Sequence, residues 1–97
     1  MTYQDAITST KVTLVEFFAS WCPHCQRMMP VVADIKNRLE GRVPVAQFDI
    51  DENTQLSDSE RVETIPTFII YKNGKEVWRQ SGEMDEADLL RQVESRL

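Results

Sequence analysis

The segment Val12 to Ala19, VTLVEFFA, places the strongest constraint on the fold of this chain. It is apolar on both faces of a β-strand except at Thr13 and Glu16, which is typical of a central parallel strand. A strand of this kind must be covered on both sides by other elements. The 97 residues suffice for one such layered unit, so we predict a single α/β domain over residues 1–97.

The remaining segments alternate between helical and strand patterns. Helices are predicted over residues 3–9, 23–41, 53–61 and 85–97, and a second strand over residues 43–50. Thr67 to Lys72 and Lys75 to Gln80 flank Asn73-Gly74, the strongest short signal for a β-hairpin. Strands that are joined through a helix lie parallel, whereas a hairpin pairs antiparallel. We therefore expect a central mixed sheet flanked by helices on both faces.

Charge and hydropathy exclude several classes of partner. Eleven Lys and Arg against sixteen Asp and Glu give a net charge of −5, which argues against nucleic acid or an anionic membrane surface as the main partner. No apolar run is long enough to span a bilayer, and the first residues lack the basic and apolar regions of a secretion signal. The sequence therefore predicts a cytoplasmic protein that acts on neither membranes nor nucleic acid.

Cys22 and Cys25 are the only cysteines, and they are three residues apart. A disulfide between them would close a very short ring, which constrains the unfolded chain little, so a redox or metal-binding role is favoured over a structural one. His24 adds only a third candidate ligand, and a closed zinc site requires four, so no metal is predicted. At a helix N-terminus, Cys22 faces free backbone N–H groups that stabilise a thiolate. We expect an accessible, acidic Cys22 and a more shielded Cys25.

Several separated motifs together resemble the thioredoxin family. They are VEFFASWCPHC, Pro30 after the second cysteine, Thr64-Ile65-Pro66-Thr67 and Lys72-Asn73-Gly74, and the match runs from about Thr13 to Leu97. The resemblance implies a thioredoxin-like fold and an exchange between protein disulfides and the Cys22–Cys25 dithiol, without a cofactor. The chain begins too late to contain the family's usual first strand, so about four strands are expected instead of five.

The resemblance also implies roles for residues around the cysteines. The Ile65-Pro66 peptide bond is implied to be cis and to face the cysteine pair, with the Ile65 backbone offering hydrogen bonds to a bound substrate segment. Gly82 resembles the family glycine that lets a substrate chain lie close. Trp21, next to a reactive thiol, is interpreted as shielding the site or contacting substrate.

Glu16 stands where the family has a buried aspartate that helps to move a proton to and from the second cysteine, here Cys25. Gln47 stands where many relatives have a lysine beside that acid. Without the cation, desolvation is expected to raise the pKa of Glu16 and to suit it to proton exchange near neutral pH. A purely structural carboxylate is the alternative interpretation of Glu16.

Pro23-His24 departs from the Gly-Pro of the common reducing thioredoxins and is similar to the family's periplasmic oxidants. A His24 imidazolium or N–H favours the Cys22 thiolate, so these two residues are predicted to tune the couple towards oxidation; a merely solvated His24 is the alternative. A monomeric reductase that is recharged by a thioredoxin reductase is the primary prediction. An oxidant or isomerase and a non-catalytic binding module are the alternatives.

Overall fold

The computed structural model describes residues 2–97. Its helices and strands follow one another in the order αβαβαββα, as the sequence pattern predicts. They are α1 (Tyr3–Thr8), β1 (Val12–Phe18), α2 (Pro23–Arg38), β2 (Val45–Asp49), α3 (Thr54–Ser59), β3 (Thr67–Lys72), β4 (Lys75–Ser81) and α4 (Glu86–Glu94). None of the helices within residues 2–97 combines the length and the apolar character that a bilayer span requires.

The four strands form one mixed sheet in the order β2-β1-β3-β4. β1 pairs parallel with β2, because α2 carries the chain back across the sheet between them. β3 pairs antiparallel with β1 on one side and with β4 on the other. Asn73 and Gly74 both have positive φ, as a two-residue hairpin turn requires. The central position of β1, the hairpin and the number of strands are confirmed.

β1 supplies side chains to two separate cores, because alternate residues of a strand point to opposite faces. Leu14 lies in the core beneath α2 and α4, which includes the fully buried Ile35 and Leu89. Phe17 lies in the core on the other face, against α1 and α3. Glu16 shares the face of Leu14, so the strand places a carboxyl group beneath α2, where the sheet meets the helix that carries the cysteines.

Strand β2 is shorter than the predicted segment and begins at Val45 rather than at residue 43. Pro44 has no N–H to contribute to the ladder, and only its carbonyl oxygen takes part, accepting from Leu14 N at 3.1 Å. The regular pairing therefore starts one residue after the proline.

Two helices also end earlier than the hydrophobic pattern indicates. α2 ends at Arg38 rather than near Gly41, whose φ of +80° lies outside the helical region. α4 ends at Glu94, and Leu97 is consequently exposed although its helical spacing indicates an inward position. The apolar spacing continues in both segments after the backbone has left the helix.

A chain of hydrogen bonds ties α1 to the sheet on the face away from α2. The hydroxyls of Tyr3 and Tyr71 lie 2.6 Å apart, and Tyr71 donates to the Glu60 carboxylate at 3.1 Å. Tyr3 also packs edge-on against Phe48. Desolvation is the main cause that raises the pKa of Tyr71 to about 12, and it raises the pKa of Tyr3 as well.

Candidate active site

The two cysteines lie where β1 gives way to α2. Cys22 is the N-cap of α2 and Pro23 is the first helical residue, a position where its missing N–H costs no hydrogen bond. The Cys22 Sγ accepts from the Cys25 N–H at 3.4 Å. A sulfur atom therefore takes the place of the oxygen that usually caps a helix, and it faces the positive end of the helix dipole.

The segment between α3 and β3 approaches this helix start. The Cys22 Sγ lies 3.8 Å from the Ile65 carbonyl oxygen, and the following peptide bond, Ile65–Pro66, is cis. Gly82, just after β4, donates its N–H to the Pro66 carbonyl oxygen at 2.8 Å. The fold thus brings Ile65, Pro66 and Gly82 together beside the cysteines, although all three residues are far from Cys22 and Cys25 in the sequence.

Cys22 carries a free thiol and is only 4% exposed, so the prediction of an accessible thiol is wrong by solvent-accessible area. Cys22 belongs to a small buried cluster with Ala19 and Cys25, and Phe18, Ile50 and Ile65 pack against this cluster. Desolvation opposes ionisation, but hydrogen bonds from Cys25 and His24 and the charge of Arg27 together outweigh it and lower the pKa of Cys22. The lowered pKa of Cys22 agrees with the prediction of an acidic thiol.

Cys25 also carries a free thiol and is buried one helical turn further along α2. Desolvation is the largest effect and raises the pKa of Cys25, and a hydrogen bond with the Ala19 backbone offsets only part of it. The neighbouring Cys22 and the charge of Glu16 raise this pKa further. The structure therefore favours ionisation at Cys22 over ionisation at Cys25.

Glu16 is 3% exposed and accepts a hydrogen bond from Gln47 Nε2 at 2.9 Å. The two residues are in register on the parallel strands β1 and β2. Desolvation raises the pKa of Glu16, and the Gln47 hydrogen bond offsets it only in part. Glu16, Cys25 and Gln47 line the same cavity of about 470 Å³, which is large enough to hold water.

His24 belongs to a charged cluster with Arg27 and Glu83. His24 Nδ1 lies 2.7 Å from Glu83 Oε2, and Arg27 donates to the same carboxylate from Nε and Nη2, the shortest bond measuring 2.8 Å. Hydrogen bonds from Arg27 and then His24 lower the pKa of Glu83 to about 2. The Glu83 carboxylate in turn raises the pKa of Arg27. All three side chains therefore meet at one point next to the cysteine pair.

Trp21 precedes the cysteine pair and is 62% exposed. Its indole Nε1 donates to Asp51 Oδ2 at 2.7 Å, which ties the loop after β1 to the loop after β2. This hydrogen bond fixes the indole, whose exposed apolar surface lies beside the thiols. Such a surface is suited to contact with a substrate.

Arg27, Asp51 and Glu83 are site residues that sequence reasoning does not identify. Asp51 lies 30 residues from Trp21 and Glu83 lies 59 residues from His24, so no local pattern records either contact. Arg27 differs, because it follows His24 by about one helical turn. The spacing of His24 and Arg27 places two basic side chains on one face of α2 next to the capping Cys22, and this pattern could have been recognised in the sequence.

No group of three or more His, Cys, Asp or Glu side chains in the described part of the chain could hold a metal ion. The groups at this site that can take part in chemistry include the two thiols, the buried carboxyl group and the charged cluster.

Comparison with known proteins shows which proteins this chain is similar to. A family model described as Thioredoxin matches residues 1–95. "Thioredoxin Y, chloroplastic" from Oryza sativa subsp. japonica is 37% identical over 89 residues, which make up 92% of this chain and 53% of the relative. A "Bifunctional thioredoxin reductase/thioredoxin" from Mycobacterium leprae is 34% identical over 91 residues, which make up 94% of this chain and 20% of the relative. The chain spans about half the length of the first relative and about a fifth of the second.

A solved structure of a mutant thioredoxin from Halobacterium salinarum NRC-1 is similar to this fold, with a TM-score of 0.87 and 32% sequence identity. The similarity covers 96% of this chain and 80% of that one. Sequence and fold agree over nearly all of the chain, and the paired cysteines at the start of α2 lie within the matched region. The chain belongs to the thioredoxin family.

Proposed function

We propose that this chain is a thiol–disulfide oxidoreductase that reduces protein disulfides with its Cys22–Cys25 dithiol. One observation carries the proposal, namely that the pKa of Cys22 is lowered whereas that of Cys25 is raised. Thiol–disulfide exchange needs a thiolate as the attacking group. It also needs a second thiol that stays protonated until the first has reacted. Membership of the thioredoxin family supports the same activity.

The exchange has two steps. The Cys22 thiolate attacks one sulfur of the substrate disulfide, that S–S bond breaks, and the other substrate sulfur leaves as a thiolate while a mixed disulfide forms at Cys22. Cys25 then loses its proton and attacks the Cys22 Sγ, which breaks the mixed disulfide and releases the second substrate thiolate. Two electrons pass to the substrate, and Cys22 and Cys25 are left joined as a disulfide.

Glu16 is the proposed acceptor of the Cys25 proton. Both groups line one cavity, and the raised pKa brings the Glu16 carboxyl group closer to the pH at which proton exchange is most efficient. The negative charge of Glu16 opposes formation of a thiolate at Cys25. Accepting the proton neutralises Glu16 and removes this opposition at the moment when the Cys25 thiolate is needed.

The groove formed by Trp21, Ile65, Pro66 and Gly82 is the proposed site for the substrate segment. The Ile65 carbonyl oxygen is 3.8 Å from the Cys22 Sγ, so a segment that pairs with this backbone brings its disulfide to the thiolate. Gly82 has a φ of +97°, and a Cβ at this position would meet nothing within 4 Å, so space is open beside Pro66. Trp21 adds an exposed apolar surface to the same groove.

An oxidant or isomerase is the second candidate function, and the basic side chains of His24 and Arg27 favour it. Positive charge near Cys22 stabilises its thiolate and hence the reduced protein, which makes the couple more oxidising. The reduction potential separates this candidate from the reductase.

A thioredoxin reductase is the proposed electron donor, because the Mycobacterium leprae relative combines reductase and thioredoxin in its name. We place the protein in a reducing compartment, the cytoplasm, since a reductase must be kept reduced. The chloroplastic name of the rice relative favours a plastid as the alternative, and a fluorescent fusion in the source cells distinguishes the two. A monomer is the proposed working form, which light scattering after size exclusion measures directly.

The test combines reduction of insulin disulfides, driven by NADPH and a thioredoxin reductase, with equilibration against glutathione buffers. We expect turnover and a potential at least as negative as the cytosolic glutathione pool, about −220 to −260 mV. A potential well above this range would make the oxidant or isomerase the better assignment. Absence of a reversible dithiol–disulfide transition would contradict exchange altogether and favour a binding module.

A further inference from the structure

Glu83 holds both basic side chains that lie next to Cys22. It lies 2.7 Å from His24 Nδ1 and 2.8 Å from Arg27 Nη2, and it comes from the loop after β4 rather than from α2. The three side chains are partly exposed, with 60% of His24, 56% of Arg27 and 38% of Glu83 accessible. The strength of this cluster is therefore that of a surface ion pair, not of a buried one.

Two contacts of His24 Nδ1 bear on where its proton lies. A carboxylate only accepts, so the 2.7 Å contact with Glu83, the shorter of the two, indicates a protonated Nδ1 that donates to Glu83. Arg27 Nη2 also lies 2.9 Å from this nitrogen, but a guanidinium only donates, and a protonated Nδ1 has no lone pair to accept. Two donors thus converge on one carboxylate, and neutral His24 has its free lone pair on Nε2.

We propose that Glu83 is a positioning residue that fixes the side chain of His24 in its Nδ1–H form and keeps the Cys22–Cys25 couple reducing by neutralising the charge of Arg27. The inference rests on the proposed exchange activity and concerns how the same site is tuned. The charge of Arg27 favours the Cys22 thiolate, and so does a hydrogen bond from the backbone N–H of His24, which Glu83 does not contact. A carboxylate in contact with the Arg27 guanidinium weakens the field of this cation at the sulfur.

A weaker field leaves the thiolate, and hence the reduced protein, less stabilised. The couple is then more reducing than the Pro23-His24 sequence alone predicts. Glu83 thereby reconciles an oxidant-type motif between the cysteines with the function of a reductase.

Two substitutions of Glu83 separate charge from hydrogen bonding. Glu83→Gln removes the charge and keeps an acceptor, whereas Glu83→Ala removes both. Glu86→Gln is the matched control, because Glu86 is also an acid paired with an arginine, Arg38, but at the opposite end of α2. The measurements are the Cys22 thiolate pKa from absorbance at 240 nm, the equilibrium with glutathione, and the His24 tautomer from ¹⁵N NMR of the reduced protein.

We expect both Glu83 variants to shift the glutathione equilibrium about twofold to fivefold towards reduced protein, the range of an exposed ion pair, and to lower the Cys22 pKa. We expect Nδ1–H to be the main neutral tautomer of His24 in the parent protein and to be depleted in Glu83→Ala. The proposal is overturned if both variants match Glu86→Gln, if the equilibrium moves the other way, or if the parent carries the Nε2–H form.

The thiolate and tautomer measurements need no turnover, so they are independent of the proposed function. A parent chain that fails to reduce insulin, but whose Cys22 pKa falls in both Glu83 variants, refutes the reductase assignment and leaves the role of Glu83 intact.

Discussion

Cys22 and Cys25 are one helical turn apart and almost equally buried, at 4% and 2% exposure, yet their surroundings act on the thiol proton in opposite directions. Backbone N–H groups at the start of α2 point at Cys22, whereas Cys25 lies deeper, with the Glu16 carboxylate nearby. The difference teaches that exposed area alone does not decide which thiol ionises. Desolvation raises the pKa of both thiols, but at Cys22 the N–H groups at the helix start and the charge of Arg27 outweigh it, whereas at Cys25 it prevails.

The strongest test of this contrast replaces each cysteine in turn. Cys22→Ser is expected to lower insulin reduction by about 10³-fold or more, because the attacking thiolate is lost. Cys25→Ser is expected to stop turnover at a different point, with a mixed disulfide at Cys22 that mass spectrometry detects. Mixed disulfide on Cys25 in the Cys22→Ser variant, at comparable yield, would refute the division of roles.

Alkylation compares the two thiols without any substrate protein. At pH 7, iodoacetamide is expected to modify Cys22 at least about 100-fold faster than Cys25, since only the thiolate reacts. The rate at Cys22 is expected to rise with pH and to level off below the pH at which an unperturbed thiol is ionised. Peptide mapping after short exposure measures both sites, and equal labelling would remove the contrast.

Replacing Glu16 isolates the second step of the reaction. Glu16→Gln is expected to slow resolution of the mixed disulfide about tenfold at pH 7, because water then has to take the Cys25 proton. Glu16→Asp, which keeps a carboxyl group, is the matched control and should retain most of the rate. Stopped-flow fluorescence of Trp21 follows this step, and an unchanged rate in Glu16→Gln would exclude proton transfer to Glu16.

Glu16→Gln is also expected to change the free energy of unfolding, and the raised pKa of Glu16 determines the sign of this change. The folded-state pKa of Glu16 is raised, so its contribution to the free energy of unfolding is fully present below the ordinary carboxyl pKa and is lost as pH rises through the raised value. Glu16→Gln should therefore be about 1 to 3 kcal/mol more stable than the parent at pH 7. The advantage should disappear at acid pH, which urea titration at both pH values measures.

The smallest expected effect concerns the charge that supports the Cys22 thiolate. Arg27→Gln should raise the Cys22 pKa and reduce the thiolate fraction at pH 7 about twofold to fivefold, the scale of an exposed charge. Arg38→Gln, at the far end of α2, is the control and should leave the absorbance titration unchanged. An unchanged thiolate fraction in Arg27→Gln would show that the start of α2, and not the charge of Arg27, stabilises the Cys22 thiolate.

The parts of the fold that local patterns encode could be predicted from the sequence. β1 is recognisable because both of its faces are buried, and the hairpin because Asn73-Gly74 adopts positive φ readily. The ends of β2 and α2 could not be predicted to the residue. They depend on where hydrogen bonding stops, at Pro44 and before Gly41, and the apolar spacing continues beyond both points.

The candidate site divides in the same way. Cys22, Cys25 and Glu16 are noticeable in the sequence, because a close pair of cysteines and an acid in an apolar strand both break the surrounding pattern. Glu83 and Asp51 are acids among many, and only the folded chain shows that they contact His24 and Trp21. The contact of Cys22 with the Ile65 carbonyl oxygen likewise joins residues more than forty positions apart, so the sequence does not show the burial of this thiol.

The hydroxyl chain from Tyr3 through Tyr71 to Glu60 and the buried Glu16 carboxyl group give the two faces of the sheet different pH limits. The folded-state pKa of Tyr71 is raised to about 12, so the stability linked to this face is present below the ordinary tyrosine pKa and is lost in alkali. On the cysteine face, the linkage of Glu16 to stability lies at acid pH and extends towards neutrality. Both contributions are lost as pH rises, first that of Glu16 on the cysteine face and then, in alkali, that of the tyrosines that hold α1 against the sheet.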